Sequence, residues 1–464
     1  MDEKILTAEE NIAEEISAPE KAEATPEVTE EKEEKKGKKA KKDKSKRRKK
    51  IRKVLLGLVS LIVAFFVVTT IITFVSQKAN VKKAQSFAAV EYEEQLVPKK
   101  DKKSGHWSFT TDREFKVLQL TDVHIGGGWM SAKKDSMAMN AVAAMITAEK
   151  PDLVIVTGDV SYPVPFQAGT LNNKNAAEIF AELMESLGVY WTIGFGNHDT
   201  EAYSYFSRED IAEFYSKKKY KHCIFEAGPE DVDGCGNQVI NVKNSDGIIT
   251  QTLFVFDSHS YIDGDFLGIM WKYDNIHENQ VQWYKNTLAD LNAKNNAILK
   301  EQGLEENSHI KSCAFFHIPL TEQKDAWYEY VENGFENTED VKYHYGVAGE
   351  SGKIVYSGIH EDNLFETMVE LGSTQAVFCG HDHYNNFSIE YKGIRLTYGM
   401  SVDYLAYPGI YKNGSQRGCT VIEFSPDGSF DCHAENYYQE KYTSLYGVET
   451  VTMQEITQQQ EIEA

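Results

Sequence analysis

Five apolar runs in this chain each end next to a side chain that can bind a metal ion or a proton. Helix-like segments at 135–149 and 176–187 separate the first three runs, which predicts strands joined by helical crossovers in a largely parallel sheet. The carboxyl ends of parallel strands meet at one edge, so these side chains should converge. The runs are FKVLQL, DLVIVTG, WTIGFG, SCAFF and AVFCG, and the side chains after them are Asp122, His124, Asp159, Asn197, His198, His317, His381 and His383.

Spacing within the segments supports this convergence. Asp122 and His124 lie two residues apart, as do His381 and His383. In extended backbone each pair therefore projects to the same side and can serve one metal centre. A glycine precedes three of the ligand positions, where tight turns and close backbone approach are expected (Gly158, Gly196 and Gly380).

The later runs TLFVFDS, IRLTYG and CTVIEF are spaced closely enough to predict hairpins and a second sheet. Between them, residues 278–295 place apolar side chains at helical spacing, which predicts an amphipathic helix. The six cysteines form no C-x-x-C pair, which argues against zinc-ribbon and thioredoxin-type sites. Cys223 and Cys235 flank a polar loop and are candidates for pairing in an oxidising compartment, although the sequence leaves the pairing open.

A second constraint comes from the N-terminal region. Residues 54–75 form a run of 22 residues without a charge, about 33 Å as a helix, enough to cross a bilayer core of about 30 Å. In the 19 residues before it, 14 are Lys or Arg, and by the positive-inside rule this block stays in the cytoplasm. We therefore expect a single-pass protein of the cell membrane, with its larger part outside the cytoplasm.

This reasoning divides the chain into five segments. Residues 1–53 are predicted to be a disordered cytoplasmic tail, acidic and then polybasic, and 54–76 a transmembrane signal anchor. Residues 77–104 are expected to form a juxtamembrane spacer, 105–440 the catalytic domain and 441–464 a disordered tail. Residues 54–464 carry 57 acidic and 32 basic side chains, and an acidic surface disfavours nucleic acid as a partner.

The ordered set Asp-x-His, Gly-Asp, Gly-Asn-His-Asp, a strand-end His and Gly-His-x-His resembles the signature of the calcineurin-like metallophosphoesterase superfamily. The stretches FHIPL, GHDHYNNF and IRLTYG are similar to its purple-acid-phosphatase-like branch that retains His in the first motif. The resemblance covers roughly residues 113–425. It implies an α/β fold, a four-layer α/β/β/α sandwich, and hydrolysis of a phosphate ester.

Carried over residue by residue, the resemblance assigns a ligand set and a catalytic pair. Asp122, His124 and His383 would hold a first metal ion, and Asn197, His317 and His381 a second, with Asp159 bridging both. His198 would be catalytic and Asp199 would orient it. The implied cofactors are two divalent, or one divalent and one trivalent, ions of Mn, Zn or Fe, a choice that the ligand types do not narrow further.

Four other residues near these motifs are candidates for the site. Tyr162 follows Gly158-Asp159 as in iron-binding purple acid phosphatases, but those enzymes lack a residue like His124, so Tyr162 is either a ligand or a packing residue. Gly127 belongs to a Gly-rich loop that would either contact the substrate or form a flexible turn. Tyr384 and Asn385 would line the crevice.

The expected reaction is attack on a phosphate ester by a hydroxide bridging the two ions, with His198 assisting the leaving group. Two alternatives stay open. The same ligands would serve a phosphodiesterase or nucleotidase, and a membrane-tethered binding protein without catalytic activity is the alternative from a different class.

Overall fold

A computed structural model of the chain describes residues 27–442 apart from 266, 308, 351, 353, 361, 408–409 and 411–416. The chain divides into two compact units, Met1–Val67 and Val68–Ala464. In its described residues the first unit consists of the N-terminal part of helix α1 (Glu27–Ala84). Residues 1–26 and 443–464, parts of the two predicted disordered tails, lie outside the described residues.

Helix α1 differs from the disorder expected up to residue 53, because the helix already begins at Glu27. Lys, Arg, Glu and Ala dominate this stretch and are good helix formers, and the apolar run that follows propagates the same helix. Within α1, Lys38–Ala84 is long and apolar enough to cross a membrane, and its most apolar stretch is not buried inside the protein. By length and composition, α1 is compatible with the predicted membrane span.

The second unit is a mixed α/β fold. Its helices are α2 (Ala132–Glu149), α3 (Pro165–Ala168), α4 (Asn173–Leu187), α5 (Arg208–Tyr215), α6 (Glu278–Glu301), α7 (Thr321–Glu332) and α8 (Leu364–Leu371). Its strands are β1 (Lys99–Lys100), β2 (Trp107–Thr110), β3 (Phe115–Leu120), β4 (Leu153–Thr157), β5 (Trp191–Gly194), β6 (Gln238–Lys243), β7 (Ile249–Val255), β8 (Ser312–Phe315), β9 (Val341–Tyr345), β10 (Thr374–Cys379), β11 (Ser388–Tyr391), β12 (Ile394–Tyr398), β13 (Gly418–Phe424) and β14 (Phe430–Asn436). The strand and helix types expected from the apolar runs are all observed.

The strands form two sheets. Nine strands have the order β1-β2-β6-β7-β8-β10-β12-β11-β9, and five have the order β14-β13-β3-β4-β5. Strands β3, β4 and β5 are parallel to one another, as are β7, β8, β10 and β12. The remaining pairs include the hairpins β6-β7, β11-β12 and β13-β14, so the second sheet predicted from the later runs is present.

The two sheets pack face to face between two layers of helices. In β4, Leu153 and Ile155 belong to the core between the sheets, whereas Val154 and Val156 belong to the core under α2 and α4. A strand covered on both faces needs apolar side chains at every position, which explains its unbroken apolar run. Helices α6, α7 and α8 cover the outer face of the larger sheet. The order of layers is helix, sheet, sheet, helix.

Residues 77–104 differ from the expected spacer. Val81, Ala84, Phe87 and Val90 are buried in the core under α2 and α4, and the Val90 amide donates to the Leu187 carbonyl at 2.9 Å. These four apolar residues recur every third position among Lys, Gln, Ser and Ala. Their spacing suits one buried stripe, but the segment has too few large apolar side chains to be recognised as such from the sequence. The folded domain therefore begins well before residue 105, and at its other end it includes the buried Tyr442.

Candidate metal centre

The eight predicted metal-binding and catalytic side chains at the ends of the apolar runs come from both sheets. Strands β3, β4 and β5 of the smaller sheet lead to Asp122, Asp159 and Asn197. Strands β8 and β10 of the larger sheet lead to His317 and His381. The prediction of convergence is right, but a single sheet edge is not the reason: the site lies where the carboxyl ends of strands from two packed sheets meet.

The backbone at the site is unusual. Four of the predicted ligands have positive φ although none is glycine: Asp122 (50°), His124 (51°), Asp159 (54°) and His381 (79°). Such conformations cost roughly 1–3 kcal/mol each and persist where the surrounding structure imposes them, typically at functional sites. These four residues follow the ends of strands β3, β4 and β10, where the predicted ligand side chains meet.

Glycine is required where the strand ends approach one another. A Cβ at Gly158 would lie 2.5 Å from His317 Nδ1, and one at Gly196 would lie 2.1 Å from Asp159 Oδ1. At Gly380 a Cβ would meet the Thr121 hydroxyl at 1.9 Å. The close approach expected at these three glycines is observed.

The first group of predicted ligands is Asp122, His124 and His383, whose donor atoms lie within 4.8 Å of one another. His383 Nε2 is 3.4 Å from Asp122 Oδ1, and His124 Nε2 is 3.2 Å from Asp159 Oδ2. The second Asp122 oxygen accepts from the amide of His381 at 3.1 Å, so the carboxylate has one oxygen held by backbone and one turned to the histidine.

The second group is Asp159, His317 and His381, again with donor atoms within 4.8 Å. His317 Nε2 lies 3.2 Å from Asp159 Oδ2, 3.1 Å from Asn197 Oδ1 and 3.2 Å from His381 Nδ1. Asp159 Oδ2 is thus 3.2 Å from a histidine of each group. Asp159 lies in the position that a bridging ligand requires.

The donor set fits two metal ions. Among the described residues, Asp122 Oδ1 is fully buried and makes no hydrogen bond, an expensive state for a carboxylate oxygen unless another partner binds it. Imidazole, carboxylate and one amide oxygen are ligands suited to Zn, Mn or Fe. The residues present therefore fit the implied pair of ions.

Electrostatics lead to the same conclusion. Burial disfavours the charged form of His124, but the carboxylates of Asp403 and Asp159 outweigh this effect and raise the pKa of His124 to about 9. At His317, burial is likewise outweighed by Asp159 and Asp122, and the pKa rises to about 9. The buried carboxylates thus demand positive charge, which either protons on these histidines or divalent cations supply.

Asp403, which the motifs did not indicate, supports both histidines of the first group. It is fully buried, and its two oxygens lie 3.4 Å from His124 Nδ1 and 3.3 Å from His383 Nδ1. The amides of Leu405 and Ala406 donate to it at 2.6 and 2.8 Å. It leaves the Nε2 atom of each histidine to face the ligand cluster. Asp403 lies in the stretch SVDYLAY, where no spacing signal marks it.

His198 is oriented by Glu201 and not by Asp199. His198 Nδ1 lies 2.6 Å from Glu201 Oε1, while the Asp199 carboxylate accepts from the amides of Asp159, Ser161 and Gly196 at 2.8–3.0 Å. Asp199 therefore holds the ligand-bearing turns together, which corrects its predicted role. A Glu three residues after the histidine, within Asn-His-Asp-Thr-Glu, was the available signal for the orienting residue.

Tyr261 connects the histidine to the second ligand group. Its hydroxyl donates to Glu201 Oε1 at 3.2 Å and accepts from Asn197 Nδ2 at 2.9 Å. The Asn197 amide is thereby fixed with its oxygen toward His317.

The Tyr162 ring stacks on that of His124, with centroids 4.7 Å apart and planes at 24°, and meets the His198 ring edge-on at 4.9 Å. Burial and the nearby Asp403 raise the pKa of the Tyr162 hydroxyl to about 12. These contacts favour the packing alternative over the ligand alternative for Tyr162.

The three predicted substrate-contacting residues have different surroundings. Gly127 is buried, and its amide donates to Asp135 at 3.1 Å while its carbonyl accepts from Asn175 at 3.0 Å, so both of its backbone polar groups are bound within the protein. The Asn385 amide is also consumed internally, by bonds to the backbone of Gly349 and of residue 354. Only Tyr384, half-buried beside His383, suits the predicted crevice position.

All six cysteines are free thiols, so the pairing of Cys223 with Cys235 considered for an oxidising compartment is not observed.

A family model described as calcineurin-like phosphoesterase matches residues 115–385, a range that contains every predicted ligand. The chain is 28% identical over 326 residues to a protein of Arabidopsis thaliana named probable inactive purple acid phosphatase 28, covering 64% of this chain and 73% of that protein. It is 28% identical over 299 residues to phosphatase DCR2 of Saccharomyces cerevisiae, covering 60% of this chain and 46% of that protein. A solved dimetal phosphatase from Danio rerio is similar with a TM-score of 0.44 at 11% identity, covering 71% of this chain and 98% of that one.

Proposed function

The chain belongs to the calcineurin-like phosphoesterase family and is a metal-dependent phosphoesterase, and on this premise we propose that it is a membrane-anchored, extracytoplasmic enzyme that hydrolyses phosphate esters at a dimetal site. The observation that carries the proposal is Asp159, whose one oxygen lies 3.2 Å from a histidine of each of two three-residue ligand groups. A carboxylate shared between two ligand groups suits a two-metal site, in which the ions are about 3.5–4 Å apart.

Asp122, His124, His383 and Asp159 would hold one ion, and Asp159, Asn197, His317 and His381 the other. When bound, two such ions polarise a phosphoryl oxygen and lower the pKa of water enough to make a nucleophile near neutral pH. The protein's own contribution is geometry: Asp403, Tyr261 and the strained strand ends hold the ligand atoms in place before any ion binds.

His198 is the group we assign to the leaving-group oxygen. Its side chain is 26% exposed, whereas those of His124, His317 and His383 are 3% exposed or less, so it is more accessible to a substrate than those three imidazoles. With Nδ1 bound to Glu201, its Nε2 is the nitrogen available for donating a hydrogen bond or proton to the departing oxygen.

Membrane anchoring rests on helix α1, whose 22-residue uncharged run follows a polybasic block. We propose that residues before the run are cytoplasmic and that the catalytic domain lies outside. Impermeant antibodies against tags at the two ends of the chain test this topology in intact cells. Only the C-terminal tag should be reached, and recognition of the N-terminal tag would refute the orientation.

Catalysis is tested with the full chain in lipid nanodiscs, loaded separately with Mn, Zn and Fe. We expect about two ions per chain and hydrolysis of nitrophenyl phosphate, both lost in Asp159→Asn but retained in Asp246→Asn, which changes an exposed carboxylate in the β6-β7 turn. Faster hydrolysis of bis-nitrophenyl phosphate would indicate a phosphodiesterase instead, and faster hydrolysis of a nucleoside monophosphate than of nitrophenyl phosphate would indicate a nucleotidase.

The names of the Arabidopsis thaliana relatives, which are called probable inactive, favour a second candidate, an inactive membrane-tethered binding protein. The intact ligand groups and the His198-Glu201 pair argue against it. A chain that binds two ions yet hydrolyses neither ester would revive it.

A further inference from the structure

The C-terminal part of α1 is packed directly onto the loops beside the first ligand group. The Thr73 hydroxyl donates to the Gly169 carbonyl at 3.4 Å, and the Ser76 hydroxyl donates to the Gly128 carbonyl at 3.4 Å. One turn later, the Asn80 amide donates to the carbonyl of Ala132 at 3.3 Å. Residues 73–80 are therefore attached to the domain by three successive contacts.

The position of these contacts along the chain is informative. The uncharged run ends at residue 75, and at about 1.5 Å per residue its length matches a bilayer core of about 30 Å. Residues 73 and 76 bracket that end. Given the proposed anchoring, α1 leaves the hydrocarbon core of the bilayer near residue 75. The carbonyls of Gly128 and Gly169 therefore lie at that level, because they accept from Ser76 and Thr73.

At this level the domain exposes apolar side chains. Trp129 is 37% exposed, Met130 48% and Phe166 87%, and on α1 itself Phe74 and Val75 are 62% and 61% exposed. We name these five residues the helix-exit patch. In water such a cluster is unfavourable, and exposed apolar patches of this kind mark interaction sites.

The patch is held together by the same loops that contact α1. The Met130 amide donates to the Ala168 carbonyl at 3.2 Å, and a Cβ at Gly169 would meet the Trp129 indole nitrogen at 2.7 Å. Trp129, Met130 and the helix α3 that bears Phe166 are thus neighbours, and all lie beside Thr73. Gly169 therefore connects Thr73 of α1 with Trp129 and Met130 of the domain.

The composition of the helix-exit patch matches a membrane surface. Trp and other aromatic side chains concentrate where a membrane meets water, and exposed lysines flank this patch at Lys78, Lys82 and Lys133. Lys78 and Lys82 follow Phe74 by four and eight residues and so lie on its side of the helix. Apolar side chains flanked by lysines suit the headgroup region of a bilayer, where the lysines can contact anionic lipids.

We propose that the helix-exit patch rests in the headgroup region of the membrane that α1 crosses, so that the domain sits directly on the bilayer surface. The inference relies on the proposed anchoring and adds a second, interfacial contact to it. The proposal also connects the loop after His124 to the membrane, because residues 126–130 lead from that histidine to Trp129. The amides of Gly126 and Gly127 donate to Asp135, and Asn80 of α1 donates to the same carboxylate.

The test uses the full chain in vesicles and compares two added tryptophans by quenching with lipids brominated near the headgroup. Phe166→Trp places the probe in the patch. Tyr328→Trp, a 38% exposed position on α7, places it in the opposite helix layer across both sheets. The six native tryptophans are common to both variants, so the added signal is obtained by difference.

We expect quenching and a blue shift of the added emission for Phe166→Trp and neither for Tyr328→Trp. Flotation with vesicles after an alkaline wash is measured on the same samples. Flotation without quenching at residue 166 overturns the interfacial contact and leaves the anchor intact. Equal quenching at both positions also overturns it, and failure to float overturns the anchor together with the contact that relies on it.

Discussion

The role of His198 depends on a carboxylate three residues away. Glu201 is 6% exposed and binds both His198 Nδ1 and the Tyr261 hydroxyl, so one oxygen fixes the imidazole and, through Tyr261, the amide of Asn197. The carboxylate of Asp199, which lies next to the histidine in the chain, accepts hydrogen bonds from three backbone amides in the described part of the structure. The two carboxylates therefore have separable contacts, one with the histidine proposed to be catalytic and one with the backbone of the strand ends.

This separation gives the first prediction. Glu201→Gln should lower kcat on the order of 10- to 100-fold for an alkyl phosphate, since His198 loses its charged partner, and less for nitrophenyl phosphate, whose leaving group needs little protonation. Asp199→Asn should instead lower the melting temperature, because three buried amides lose a charged acceptor. Steady-state kinetics with both esters and thermal melts check this, and equal losses on both esters for Glu201→Gln would contradict the positioning role.

Asp403 gives the second prediction. Removing its charge with Asp403→Asn should weaken metal binding about 10- to 100-fold, because His124 and His383 both lose the partner that orients them. The effect should fall on one ion, leaving about one per chain at limiting metal concentration. Elemental analysis after dialysis measures this, with Asp431→Asn, an 82% exposed carboxylate, as the control. Equal loss of both ions would contradict the assignment.

At the scale of elements, the segment after the apolar run acts as part of the fold. Phe87 is 7% exposed in the core under α2 and α4, whereas Val97 further along is 63% exposed. Phe87→Ala should lower the free energy of unfolding by about 3 kcal/mol, the usual cost of removing a buried Phe ring. Val97→Ala should change it by less than about 0.5 kcal/mol. Denaturant titration compares them, and equal effects would show that this segment is a spacer after all.

Helix α7 supplies a pH prediction. Burial, with Asp362 and Glu366 nearby, raises the pKa of Glu322 in its first turn to about 7. Because the folded-state pKa lies above the unfolded value, protonation of Glu322 stabilises the folded protein. This stabilisation is fully present below about pH 4.3 and is lost as pH rises through about 7. Glu322→Gln, which mimics the protonated form, should therefore raise the melting temperature at pH 8 and not at pH 4. A gain that does not depend on pH would contradict this assignment.

At the scale of the whole molecule, the ligand groups join the two sheets, since three segments come from the smaller sheet and two from the larger. Bound metal ions would act as cross-links between the layers. Chelation should lower the melting temperature, with a loss of about 2.7 kcal/mol if the ions were present at 100 times their Kd. The same treatment should leave the melting of Asp159→Asn unchanged. Calorimetry with and without chelator decides this, and an unchanged melt in the unsubstituted chain would contradict the cross-link.

Local patterns in the sequence were sufficient for much of this architecture. The strands, the crossover helices and the meeting of the ligand segments follow from apolar periodicity and from polar residues placed at run ends. These are properties of neighbours in the chain, and α1 likewise follows from an uncharged run long enough for a bilayer. The ligand roles of the seven residues stay predictions, supported by their geometry.

Only the tertiary structure decided which residues contact partners distant in sequence, and which residues of polar-looking segments are buried. Asp403 lies 279 residues after His124 in the chain yet 3.4 Å from its ring, and no local spacing reveals such a contact. The burial of Val81, Ala84, Phe87 and Val90 depends on the core under α2 and α4 that they join, and Gly127 is buried against Asn175 and Ala176 of α4. The sequence by itself determined which side chains would assemble, because strand ends and motifs are local; the fold decided which of them orient the others, because orientation depends on contacts between segments that only packing brings together.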